Sequence, residues 1–110
     1  MLMTQHRRRI RLCSTHELEP GAMKSVDIDG LPRLAVYRMG NEFFCSEDAC
    51  THGGSSLSDE GDLAGYVIEC GLHSGKFDIR TGEPCAPPCT EPLRTFPVRR
   101  AGDDLYIDFD

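Results

Sequence analysis

Cys50-Thr51-His52-Gly53-Gly54 and Cys70-Gly71-Leu72-His73-Ser74-Gly75 are two versions of one pattern, and seventeen residues separate His52 from Cys70. Each stretch offers one thiolate and one imidazole, with one or two residues between them. Each also carries glycine beside its ligand-type residues. Without a Cβ, such a loop can press its backbone close to an inorganic group, turn with positive φ and point N–H groups at it.

Working outward, short runs rich in Val, Ile, Phe and Tyr recur between Gly, Asp and Asn turns. The clearest are 10–13, 24–28, 33–38, 42–45, 66–70, 76–79, 96–99 and 105–109. Asp29-Gly30 and Gly40-Asn41 lie between such runs and predict hairpin turns, with Asp103-Asp104 after Gly102 as a weaker one. No window carries a long 3.6-residue apolar period, and 14–18 is at most one helical turn. The spacing predicts an all-β sandwich or barrel. Two stretches break the rhythm. Residues 50–65 are long, polar and glycine-rich, and 82–92 carry Pro84, Pro87, Pro88 and Pro92, which excludes a central strand. Long loops in a small domain are where function concentrates, so both breaks point to one end of the molecule.

At 110 residues the chain reads as a single domain over 1–110, because a second independent core would leave each half too small to bury enough surface. Apolar residues make up 39%, enough for a compact domain that still gains from a metal centre. A net charge of −6 argues against nucleic acid as the main partner, which needs a basic face. No run approaches the roughly 20 apolar residues of a membrane span. The basic start with Arg7, Arg8, Arg9 and Arg11 lacks the apolar run of an export signal. Residues 1–8 therefore read as a flexible tail, and the cytoplasm as the expected location. Six cysteines in such a chain point to metal ligands or core positions before disulfides. Cys13 and Cys45, in strand-like runs, read as small buried side chains. Cys85 and Cys89, in the proline stretch, read as free thiols, and His6 and His16 as surface positions.

Two thiolates and two imidazoles in this alternation suit a two-iron rhomb clamped from both sides. Zinc also takes such donors, but zinc fingers pair C-x₂₋₄-C before H-x₃₋₅-H, whereas here the order is Cys, His, Cys, His. A plant-type [2Fe–2S] site needs C-x₄-C-x₂-C; Cys45 and Cys50 have the first gap, but position 53 is glycine. A nucleophilic Cys/His site would leave the second pair unexplained.

The C-x-H-x₁₇-C-x₂-H pattern, its glycines and the later proline loop resemble the Rieske ferredoxin family over nearly the whole chain. The small ferredoxins of bacterial aromatic-ring-hydroxylating dioxygenase systems are the nearest in style. The resemblance implies an antiparallel β-sandwich base carrying a smaller cluster-binding subdomain at about 44–95. It implies one [2Fe–2S] cluster, with Cys50 and Cys70 on the inner iron and His52 and His73 on the outer. Pro84 to Pro92 would form a lid over it.

High-potential relatives add a cysteine to each loop and bridge them. Here those positions are Ser55 and Leu72. Such relatives also carry Ser and Tyr hydroxyls that bond to sulfur, where this chain has Gly75 and Phe77. Fewer hydrogen bonds imply a potential near the low end of the Rieske range, roughly −150 mV. The resemblance thus implies a monomeric electron carrier, not an enzyme, between an NAD(P)H-dependent reductase and a terminal oxygenase. A small subunit or redox partner of a nitrite reductase-like system is the alternative. Catalysis in this chain would need a mononuclear iron site with two further histidines and a carboxylate, and only His6 and His16 remain. His52, His73, Leu72 and Pro88 are the expected centre of a docking face, with Glu47, Asp48, Asp59, Glu60 and Asp62 as acids that could steer a basic partner.

Overall fold

A computed structural model describes residues 8–71 and 75–109. The strands are β1 (Arg8–Ser14), β2 (Met23–Val26), β3 (Leu34–Met39), β4 (Glu42–Glu47), β5 (Asp62–Ala64), β6 (Val67–Glu69), β7 (Lys76–Asp78), β8 (Pro84–Ala86), β9 (Thr95–Phe96), β10 (Arg99–Ala101) and β11 (Asp104–Phe109). One short helix, α1 (Leu57–Glu60), precedes β5, and a 3₁₀ turn at Thr15–Glu17 follows β1. The strands form three antiparallel sheets, ordered β1-β11-β10, β2-β3-β4-β9 and β5-β6-β7-β8. The expected all-β fold is therefore observed. No helix is long and apolar enough to cross a membrane among the described residues.

Alternation explains the first two sheets. Ile10 and Leu12 on β1 turn inward opposite Leu105 and Ile107 on β11, while Arg8, Arg9 and Arg11 face water. The register slips between Arg11 and Cys13, and this bulge lets Leu12 and Cys13 both be buried. Met39 pairs with Glu42, so Gly40-Asn41 is the two-residue hairpin turn the sequence predicts, with Gly40 at φ +58°. Ala101 pairs with Asp104, which places the last turn on Gly102-Asp103, one residue earlier than expected. Gly102 takes the positive φ, +63°, that a tight hairpin turn requires.

Three expectations change. The run 96–99 is not one strand. β9 ends at Phe96, and after Pro97 the chain leaves the β4 edge and pairs with β11 as β10. Pro97 has no N–H to continue the first ladder. Inside the polar stretch 50–65 lie α1 and β5, and inside the proline stretch lies β8. β8 is an edge strand and Pro84 is its first residue, both positions at which a sheet admits proline.

Two apolar cores share one wall. Leu34 and Val36 of β3 point into the core formed with Ile10, Leu12, Val26, Leu105 and Ile107. Ala35 and Tyr37, the alternate residues, point into a second core with Leu57, Ile68, Phe77, Ile79 and Leu93. All four are fully buried. β4 repeats the division, with Phe43 against the first core and Phe44 against the second. Thus β3 runs as a strand covered on both faces, and it supports the third sheet directly.

Candidate metal centre

Cys50 follows β4 through an ordered corner. Asp48 is buried at 2% exposure, and its carboxylate accepts from the Ser58 N–H at 2.9 Å and from the Ser56 hydroxyl. Its backbone carbonyl accepts from Leu57 N–H. Ser56 in turn caps α1 by accepting from Asp59 N–H at 3.1 Å. Between these anchors the loop closes on itself, with Cys50 N–H donating to Ser55 O at 2.8 Å and Gly54 N–H to Cys50 O at 2.7 Å. The Cys50 side chain is thereby turned inward and buried, while Thr51, His52 and Gly53 are exposed.

The second loop connects β6 to β7. Glu69 pairs with Lys76, and Cys70 N–H donates to Gly75 O at 2.7 Å, so the hairpin is pinned at its base. Cys70 is buried at 2% exposure. Glycine is required at both ends of this loop. A Cβ on Gly71 would stand 2.2 Å from the Glu60 carbonyl oxygen, and one on Gly75 would stand 2.2 Å from Cys89 Sγ. Leu72, His73 and Ser74 lie outside the described residues, as do His6 and residues 1–7 generally.

The proline stretch is the third side. Thr51 donates its hydroxyl to Glu91 O at 2.7 Å, tying the first loop to it. Leu93 N–H donates to Gly82 O at 2.8 Å and closes the stretch at its foot. Cys89 and Leu93 are buried in the same core as Cys50 and Cys70. Pro88 is half-buried.

Two contacts at the sulfurs were not legible in the sequence. The Ser55 hydroxyl lies 3.3 Å from Cys70 Sγ, across from its own loop. The Cys89 sulfur fills the space beside Gly75, 2.2 Å from where a Cβ on that residue would stand. Burial first, then the neighbouring Cys50 and Cys70, pushes the Cys89 thiol up to about 11. The available signal was Gly75, whose missing side chain leaves room for another group beside the loop.

The remaining assignments sort by burial. Phe77 is fully buried and brings no hydroxyl. Cys13 and Cys45 are buried as expected, and burial pushes the Cys45 thiol up to about 12. Cys85 is exposed, and no two of the six cysteines are bridged. His16 is on the surface, 3.2 Å from Asp103. Of the five acids expected to steer a partner, Asp48 is withdrawn by its burial, and Asp59 is engaged by Arg33 at 3.0 Å. Glu47 faces Arg94 at 3.9 Å, which leaves Glu60 and Asp62 exposed near the loops.

Among the described residues no three His, Cys, Asp or Glu side chains gather about one point. A two-iron group takes two protein ligands on each iron, so pairs are what it asks for. Two buried sulfurs, one with a hydroxyl at 3.3 Å and the other sharing its core with the Cys89 thiol, and one exposed imidazole at a loop tip fit such a group.

The profile of the Rieske [2Fe-2S] domain family matches residues 8–97. The chain is 43% identical over 99 residues to the ferredoxin component of the p-cumate 2,3-dioxygenase system of Pseudomonas putida, covering 90% of this chain and 84% of that one. It is 44% identical over 99 residues to the biphenyl dioxygenase ferredoxin subunit of Pseudomonas sp. strain KKS102, covering 90% of both. Its fold superimposes with a TM-score of 0.85 and 43% identity on a chain in a complex of reduced oxygenase and oxidized ferredoxin from carbazole 1,9a-dioxygenase, covering 90% of this chain and 91% of that one.

Proposed function

The chain belongs to the Rieske [2Fe–2S] domain family, and on that premise we propose that it is the ferredoxin component of an aromatic-ring-hydroxylating dioxygenase system. It is a soluble cytoplasmic monomer that takes single electrons from an NAD(P)H-dependent reductase and passes them to a terminal oxygenase. The observation that supports this most is the match over nine-tenths of its length to dioxygenase ferredoxins.

The cofactor is one [2Fe–2S] cluster, which supplies a one-electron couple when bound. Cys50 and Cys70 hold its inner iron and His52 and His73 its outer iron, in a subdomain of about 44–95. The protein's part is positional. The Asp48 corner and the Cys70–Gly75 hairpin turn the two thiolates into a core that water does not reach, where electrostatic effects on them are strong. The same loop geometry leaves His52 in solvent, so the electron path to a partner runs through the imidazole edge. Carriers of this kind need only a small, short-lived contact.

The purified protein is expected to show a rhombic EPR signal on reduction and two irons per chain. Cys50→Ser and Cys70→Ser are expected to lose both. With no hydroxyl at Gly75 or Phe77, the midpoint should fall toward the low end of the Rieske range, roughly −150 mV, and a value above about +100 mV would contradict this. Adding the protein to oxygenase and reductase should be required for NADH-dependent hydroxylation. Equal turnover without it overturns the ferredoxin role.

A further inference from the structure

High-potential Rieske proteins place hydroxyls on their sulfurs from positions that are Gly75 and Phe77 here, and this chain fills the space differently. The niche beside Gly75 is occupied by the Cys89 thiol, so close that a Cβ on residue 75 would overlap it at 2.2 Å from Sγ. Cys89 is buried at 5% exposure in the core that holds Cys50 and Cys70. On the other side, half-buried Ser55 brings its hydroxyl to 3.3 Å from Cys70 Sγ. The Cys70 sulfur thus has a hydroxyl beside it from the other motif loop, and the Cys50 sulfur shares its core with the Cys89 thiol of the proline stretch. A metal-bound thiolate has no hydrogen to give, so in each pair the hydroxyl or thiol donates.

We propose that Ser55 and Cys89 are the hydrogen-bond donors that set the reduction potential of the centre, acting through Cys70 and Cys50 respectively. They are positioning residues, since each acts through a sulfur ligand. Donation to the thiolates stabilises the added negative charge, so it favours the reduced state. Ser55 is the stronger donor and Cys89 the weaker, because S–H donates poorly. The proposal rests on Cys50 and Cys70 being ligands, and cluster loss in Cys50→Ser tests that part separately.

The test is the midpoint potential of the holoprotein, measured by EPR-monitored titration at one pH, with iron content and thermal stability recorded alongside. Ser55→Ala and Cys89→Ala should each retain the cluster and shift the reduction equilibrium toward the oxidised form at least threefold. That is about 28 mV at 59 mV per decade for a one-electron couple. Cys89→Ser keeps the size and strengthens the donor, so it should shift the equilibrium toward the reduced form. It also decides the matter if the alanine variant fails to load. A potential unchanged by Ser55→Ala, or a Cys89→Ser potential equal to or below the parent, overturns the proposal. Packing alone would change stability and leave the potential in place.

Discussion

At the residue scale, Asp48 shows how far a side chain's role depends on burial. In sequence it is one of several acids around a polar loop, with nothing to separate it from Asp59 or Asp62. In the fold it is a buried brace, and its two oxygens organise Ser56 and Ser58. Asp48→Ala leaves the Ser58 N–H without its partner and should cost about 1–3 kcal/mol, read as a lowered midpoint in a denaturant melt. A melt unchanged from the parent would mean that water substitutes for the carboxylate. Gly75 makes the complementary point. Gly75→Ala forces a methyl against the Cys89 sulfur, and overpacking of this kind costs about 1–3 kcal/mol. Removing that sulfur leaves contacts of 3.3 Å to Cys89 Cβ and N. The double variant Gly75→Ala, Cys89→Ala should therefore recover most of the loss in the same melt, and simple additivity would refute the direct clash.

At the element scale, β3 is the decisive strand. Four consecutive residues, Leu34, Ala35, Val36 and Tyr37, show no exposed face, so each alternate pair serves a different core. Ala35 is fully buried in the second core. Ala35→Leu should cost about 1–3 kcal/mol and disturb the loops beyond it, visible as lowered cluster retention alongside the lowered melt. A loss of stability with full iron content would show that the two cores are insulated from each other. The long hairpins were legible because β-branched and aromatic residues alternate across them and Gly40 marks their turn. β5 and β8 were not, because a three-residue strand with no fully buried side chain has no period to detect. The break at Pro97 was in plain sight, but an apolar run on both sides of it masked the change of sheet. At the site, the cysteine and histidine pattern was legible because ligand chemistry demands those residue types. The Ser55 and Cys89 contacts were not, because they join loops that only the tertiary fold brings together.

At the scale of the molecule, the two cores divide the energetics. The first is lined by ordinary apolar side chains. The second includes three cysteines, Cys50, Cys70 and Cys89, and ligands that bind only the folded state stabilise it by mass action. Removal of iron by a chelator should therefore loosen the second core before the first. Hydrogen exchange should rise in 50–56, 70–75 and 85–93 while β1, β10 and β11 keep their protection. Uniform loss across all three sheets would show instead that the molecule unfolds as one unit.

The ladder between β4 and β9 joins Ser46 to Thr95 as direct neighbours. Everything from Cys50 to the proline stretch leaves the base and returns to it through those two adjacent positions. In engineering terms this is a plug with both leads side by side. A short turn could bridge the gap and leave the base sheets continuous, provided that Ala35, Tyr37 and Phe44 were made polar to suit the face laid bare. Conversely, the segment could be spliced into a hairpin of another sheet protein, carrying its own hydrogen-bonded corners with it.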